Sequence, residues 1–317
     1  MKPSTEPCQN DSELDDEIAD LERRLAQAKA KQPPQSALLT PAAHFLLLLS
    51  DSALPLGSFA FSSGLESYLA HHKALAHPAP HHRASFTSFL PLSVSSYSST
   101  TLPFVLAAHR DPSLARLAAL DDALDAAIVC TVGRRASVAQ GRALLGIWER
   151  SFAGPGGVAA AAAAIAAAAA GVGAGKESGA EAMKGFSALL KTSSSSFSTS
   201  AGGGGGGTGD DDPPPVSAHL APLFGAICAL VGLDLAQTAY VFMLGHVKAL
   251  VSAAVRAGVF GPYQAQKTLA SATVQGLIAA MIEREWETKV EEAGQSVPVM
   301  DLWVGRHEVL YSRIFNS

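Results

Sequence analysis

LAPLFGAICALVGLDLAQTAYVFMLGHVKALVSAAVRAG, residues 220–258, decides the fold. Leu220 to Leu233 is an apolar run of helical composition. Gly232 and Asp234 then act as a stop and a restart. Glycine just past a helix end accepts a left-handed backbone, and aspartate offers its carboxylate to the free N–H groups of the next helix. That next helix runs to Arg256, where a cation meets the negative end of the helix dipole, with Gly258 beyond it. The first run is too short to cross a membrane, and Asp234, His246, Lys248 and Arg256 interrupt the second.

The same logic extends in both directions. Downstream, Gly261-Pro262 opens a long helix through about Glu287, and Gly294 to Val304 reads as a loop. Upstream, Asp111-Pro112 starts a helix that should run to about Cys130. Arg134 to Phe152 is helical in pattern, with Val138, Leu144, Leu145 and Trp148 near one face. Ser63-Gly-Leu-Glu66 has capping-box spacing and opens a helix through Lys73. No alternating strand pattern and no Asn-Gly hairpin signal is present. The expectation is an all-α fold, a single compact helical bundle domain carrying a low-complexity insertion.

Four segments divide the 317 residues. Residues 1–39 are an N-terminal extension with one amphipathic helix, in which Leu14, Ile18, Leu21 and Leu25 recur at spacings of four and three. Residues 40–152 and 216–317 are the two parts of the helical domain. Between them, residues 153–215 run through alanines, serines, six glycines, three aspartates and three prolines, and are expected to be disordered around a possible Ala-rich helix.

Composition excludes several functions. The net charge is −5 with no basic block, so a phosphate backbone is a poor partner. Cys8, Cys130 and Cys228 form no C-x-x-C pair, which argues for two buried small hydrophobes and one tail cysteine. The N-terminus has neither an apolar signal core nor an Arg-rich start, which gives a cytoplasmic expectation. There is no G-x-S-x-G and no H-E-x-x-H. Ala170 to Glu177 approaches a phosphate-binding loop but has Ala170 where glycine is needed and Glu177 where Ser or Thr would hold Mg²⁺. His71, His72, His77, His81 and His82 form a tract open to two readings, a surface connector or a metal-binding segment.

Four stretches place glycines and polar residues in apolar surroundings. Leu49 to Glu66 holds Pro55, Gly57, Ser58, Ser62 and Ser63. Arg134 to Leu145 holds Gly141, which permits close helix approach, with Arg135 and Gln140 as candidate buried polar groups. Ala254 to Gln266 reads as helix, turn, helix and contains Arg256, Tyr263 and Gln264. The last is the tail, Tyr311-Ser-Arg313-Ile-Phe315-Asn-Ser317, either a docking peptide with aromatic and arginine anchors or a frayed end.

Taken together and in this order, the four stretches resemble the urease accessory protein family UreF. The Ser-Asp-Ser-Ala-Leu-Pro-Leu-Gly-Ser-Phe run up to Glu66 is the most specific; the resemblance covers about residues 40–152 and 216–317. The extension and the insertion depart from the compact bacterial pattern and look more like a eukaryotic, fungal version. The resemblance implies a non-catalytic, cofactor-free urease maturation factor and chaperone. It would form a homodimer, bind a UreD/UreH-type accessory protein, recruit the GTPase UreG and dock on apo-urease so that nickel is delivered. It implies no nucleic acid and no membrane. Ser58, Ser62 and Glu66 would shape the surface near the dimer and partner contacts. Arg256 would match a basic position that couples to the GTPase. Tyr311 to Ser317 would order itself on the UreD-type partner. Two other readings stay open: an unrelated helical scaffold, and a metal-binding helical enzyme using the His71–His82 tract.

Overall fold

A computed structural model describes residues 41–74, 85–153, 179–199 and 216–316, together with Arg24. The described residues are helical, with no strand among them, and their apolar side chains form one continuous core that draws on both parts of the domain. The N-terminal amphipathic helix, the Ala170–Glu177 segment, His77, His81, His82 and Cys8 lie outside the described residues, although Arg24 is helical.

Eleven α-helices follow one another among the described residues: α1 (Pro41–Ser50), α2 (Leu65–Ala74), α3 (Phe86–Arg110), α4 (Leu114–Ala127), α5 (Thr131–Ile147), α6 (Gly179–Thr199), α7 (Leu220–Leu230), α8 (Leu235–Arg256), α9 (Pro262–Leu269), α10 (Ala272–Glu285) and α11 (Val299–Arg306). A π-helical turn, Trp148–Phe152, continues α5. The stop and restart at Gly232 and Asp234 is present: Gly232 has φ +83°, and Asp234 and Gln237 form a reciprocal capping box.

The hub is α3, crossed by α7 and flanked by α8. Glycine makes the crossing possible: a Cβ on Gly225 would lie 2.1 Å from the Val105 carbonyl oxygen. On the other side Tyr97 stacks on His246 with ring centroids 3.9 Å apart, and Ser93 Oγ lies 3.0 Å from His246 Nε2. Helix α8 is the one described helix long and apolar enough to cross a membrane, and here its apolar residues pack in the core.

The sequence reading assigned no element to residues 83–110, where α3 lies. Its hydroxyl run Ser93–Thr101 looks like a loop, yet Ser98, Ser99, Thr100 and Thr101 return their hydroxyls to carbonyls three or four residues back, so Ser98, Ser99 and Thr101 bury as small, satisfied groups. Pro103 cannot donate to the Ser99 carbonyl, which accepts the Gly294 N–H at 3.1 Å instead.

Several expectations need correction. The insertion contains helix α6, ordered because Ala182, Met183 and Phe186 are buried and Gly185 packs against Leu114 of α4. The helix expected from Asp111 to Cys130 is α4, which starts after Ser113; Asp111 accepts the Ser113 N–H in the turn before it. The long helix from Gly261 splits into α9 and α10, because Ser271 caps the second by accepting the Val274 N–H. The loop expected over Gly294 to Val304 contains the start of α11, whose Met300 is buried. Cys228 is buried, but Cys130 is only half-buried.

The hub yields two predictions. Gly225→Ala should destabilise the protein by about 3 kcal/mol or more through overpacking, whereas Ala at Gly245, where a Cβ on α8 would meet nothing within 4 Å, should stabilise it by about 0.5–1 kcal/mol. Urea titration of both variants measures this, and equal midpoints would contradict the crossing geometry. Burial drives the His246 imidazole from 6.5 down to about 3, so the native state keeps it neutral while the unfolded chain protonates. Its contribution is complete above about pH 6.5 and drains as pH falls towards 3, by about 1.4 kcal/mol per pH unit. Stability of the native chain should therefore fall more steeply over this window than that of His246→Gln; parallel curves would refute it.

Candidate functional site

Residues 51–65 join α1 to α2 by a path only certain residues can follow. Gly57 (φ +72°) and Gly64 (φ +86°) adopt left-handed conformations that suit glycine, and a Cβ on Gly64 would come within 3.2 Å of the Val304 backbone nitrogen. The expected Ser63–Glu66 capping box does not form. Ser63 itself has φ +49°, and the weak cap is Ser62 Oγ, which accepts the Glu66 N–H at 3.4 Å.

Glu66 is free of capping because its carboxylate holds the other end of the chain. Oε1 accepts the Ile314 N–H at 2.6 Å; Oε2 accepts the Phe315 N–H at 3.2 Å and the His307 Nε2–H at 3.0 Å. Glu66 is 9% exposed and His307 is fully buried. The His307 Nδ1 has no hydrogen-bond partner among the described residues.

Further contacts seat the tail. Asn316 N–H donates to the Ala60 carbonyl at 2.8 Å. Arg135 on α5 donates to the Asn316 carbonyl at 3.0 Å and to Glu308 at 2.6 Å, and Arg313 donates to the other Glu308 oxygen at 3.0 Å. The hydrogen bond from Arg135, supported by Arg313, holds the Glu308 carboxyl below its usual range. Arg256, at the end of α8, donates to the Phe59 carbonyl and lies 4.4 Å over the Phe315 ring, which is buried; partial burial pulls the guanidinium's pKa down. Ser58 Oγ donates to Gln140 Oε1 at 2.8 Å, propping the loop against α5. An open cleft of about 690 Å³ runs along this seam, walled by Phe61, Arg135, Ala139 and the tail.

Of the residues singled out in the sequence, Ser58, Ser62, Glu66, Arg135, Gln140, Arg256, Arg313 and Phe315 are thus brought together. Arg135 is exposed and Gln140 half-buried, so neither is the buried polar group expected; they face the loop and the tail instead. Tyr311 is fully exposed where the chain turns into the tail. Tyr263 and Gln264 sit apart on α9: Tyr263 is 91% exposed, and Gln264 borders a separate depression with Phe86 and Phe260. Ser317 lies outside the described residues. The backbone of residues 314–316 is engaged by the same chain.

The family model described as UreF matches residues 81–273. A Schizosaccharomyces pombe protein named uncharacterized urease accessory protein UreF-like is 32% identical over 274 residues, spanning 86% of this chain and 97% of that protein. The chain belongs to the UreF family. It is similar to urease accessory protein F of Oryza sativa subsp. indica, 31% identical over 84% of this chain and 82% of the relative, and to urease accessory protein 6 of Cryptococcus neoformans, 26% identical over 89% of this chain and 100% of the relative. Its role is non-catalytic and belongs to urease maturation. The UreF model's span stops short of the tail and begins after the 51–65 loop, so the seam joins segments from both sides of the matched region.

One cluster in this UreF-family chain looks catalytic. His219 Nδ1 lies 3.0 Å from Ser137 Oγ and Nε2 lies 2.8 Å from Asp125 Oδ1. However, the His219 ring is fully buried, Ser137 Oγ accepts the Leu220 N–H, and Asp125 is gripped by two nitrogens of Arg134. Burial alone would raise the Asp125 pKa, but hydrogen bonds from Arg134 and His219 outweigh it and hold the carboxyl low. Beside it, the buried Asp121 carboxylate accepts the N–H groups of Ser217, Ala218 and His219 at 2.6, 3.1 and 2.6 Å. The cluster anchors the chain where it re-enters the domain before α7, and Gly141 lets α5 approach that segment. Sequence reasoning missed Asp121, Asp125, His219, His307 and Glu308. An acid five residues before Arg313 was the readable signal for Glu308; the others carry none. His71 and His72 lie on α2, and no group of three metal-capable side chains occurs among the described residues.

Asp121→Ala should leave the N–H groups of half-buried Ser217 and buried Ala218 and His219 without their acceptor and lower stability by about 3 kcal/mol. Denaturant unfolding would report the loss, and a change within about 0.5 kcal/mol, as for an ordinary surface substitution, would contradict the anchoring role.

Proposed function

We propose that this chain is a scaffold that binds a UreD/UreH-type accessory protein through the tail seam, recruits a UreG-type GTPase, and so supports nickel delivery to apo-urease. Nickel is cargo here, and the chain contributes surfaces. The observation that carries the reading is convergence. Ser58 to Glu66, Arg135 and Gln140, Arg256, and the tail are widely separated in sequence, yet form one continuous seam bound by hydrogen bonds, ion pairs and the contacts of the Arg256 guanidinium with the Phe59 and Phe315 rings. Such a seam leaves Phe59, Ile314 and Tyr311 exposed, and exposed aromatic and aliphatic groups beside arginines have the make-up of an interface hot spot. Arg256 grips both the loop and the tail, so a partner contacting either would be coupled to the other. Tyr263, projecting from α9 after the Gly258 turn, is a candidate contact for a second partner. A homodimer within the complex and a cytoplasmic location belong to the same reading.

Co-expression with UreD-type and UreG-type proteins, followed by size exclusion, tests it. The full chain should co-elute with both partners. A chain lacking residues 311–317 should lose the UreD-type protein while keeping its helical content. The purified chain should not hydrolyse GTP without the GTPase. Unchanged co-elution of the truncated chain, or GTP turnover by the chain alone, would overturn the proposal.

A further inference from the structure

We propose that His71 and His72, in the last turn of α2, together bind one divalent transition ion of the class that prefers imidazole, nickel or zinc. The claim concerns ion binding by the chain alone and stands apart from the partner reading above.

The His72 ring is held in the form a metal ligand needs. Its Nδ1 lies 2.8 Å from the Tyr68 carbonyl oxygen. A carbonyl can only accept, so Nδ1 carries the proton and Nε2 keeps its lone pair. Metal-ligating histidines commonly tie their other ring nitrogen to a backbone carbonyl in this way, which fixes both tautomer and ring direction. The ring of Tyr68, itself buried, lies 4.3 Å from the His72 ring between centroids and holds the imidazole from a second side.

His71 is within sharing distance. The two imidazole centroids are 5.9 Å apart with their planes at 88°. An ion about 2.1 Å from a ligating nitrogen is roughly 3.2 Å from that ring's centroid, so two rings on one ion lie at most about 6.5 Å apart. The observed spacing falls inside that limit. His71 is exposed and His72 half-buried, so water can reach the pair and fill the remaining coordination positions.

The place on the helix adds a third argument. Helix α2 ends at Ala74, and the last carbonyls of a helix carry negative partial charge that favours a cation. A donor set of imidazoles suits nickel and zinc, whereas magnesium and calcium take oxygen ligands. His77, His81 and His82 follow in sequence, lie outside the described residues and form no part of the site. Under the maturation reading, nickel is the ion the pair would meet.

The test separates the pair from the rest of the tract. Nickel chloride is titrated calorimetrically into the full native chain and into a full chain carrying His77→Asn, His81→Asn and His82→Asn together, at about pH 7.5, above the ordinary imidazole pKa. The triple variant should still take up one equivalent. Adding His71→Asn or His72→Asn to it should weaken uptake roughly tenfold or more, since even an outer-shell change at a metal site costs that much. His71 is exposed, so its replacement should leave the helical content unchanged by circular dichroism. Zinc should displace the nickel and magnesium should not. Nitrogen-15 NMR of the metal-free native chain should show the His72 proton on Nδ1, and substoichiometric nickel should broaden the ring signals of His71 and His72. Absence of saturable uptake by the triple variant would overturn the inference. So would unchanged affinity once His71→Asn is added, displacement by magnesium, or a His72 proton found on Nε2.

Discussion

A carboxylate out of water must be matched by donors, and the Glu66 side chain sets that condition for this structure. An ionised group buried without partners is far less stable than the same group in water, and side-chain packing cannot compensate for it. Here one ring N–H and two backbone N–H groups meet it, and all three come from the last eleven residues of the chain. Residues 314–316 are therefore part of the folded body. The same bonds bring Phe315 under Arg256 and Asn316 to Arg135, so loop, helix ends and tail become one surface.

That surface depends on a rigid frame. Arg256 reaches Phe59 and Phe315 because α8 is held against α3 by the Tyr97–His246 stack. Helix α7 lies close to α3 because Gly225 lacks a side chain, and α5 can carry Arg135 and Gln140 to the seam because Gly141 lets its backbone approach the segment that Asp121 anchors. Each of these contacts acts on backbone position, and a shift of an ångström at any of them would separate donors from acceptors that are now 2.6 to 3.2 Å apart. The helix of the insertion, α6, packs against α4 and α7 and adds to the core without entering the seam.

Much of this was legible in the sequence. The Gly232–Asp234 junction gave the helix pair α7–α8, the absence of alternation gave the all-α class, and the motif residues Ser58, Glu66, Arg135, Gln140, Arg256 and Phe315 converge in space. What stayed hidden has physical causes. Helix α3 is rich in serine and interrupted by Pro91 and Pro103, and its helicity comes from tertiary burial and from hydroxyls that satisfy themselves on their own backbone. Ser63 to Glu66 has the spacing of a local cap, but a long-range demand wins the carboxylate. Partners such as His307 for Glu66, or Asp121 for residues 217–219, are too far apart in sequence for any local pattern to announce them.

The most direct test of the central claim is proton NMR of the free chain, with the Phe315 ring and the Arg256 δ-protons assigned. A guanidinium 4.4 Å over the ring should place those δ-protons in its shielding region, giving an upfield shift and an Overhauser contact to the ring in the absence of any partner. Unshifted Arg256 δ-protons with no such contact, and a Phe315 ring with the spectrum of an unstructured end, would contradict it.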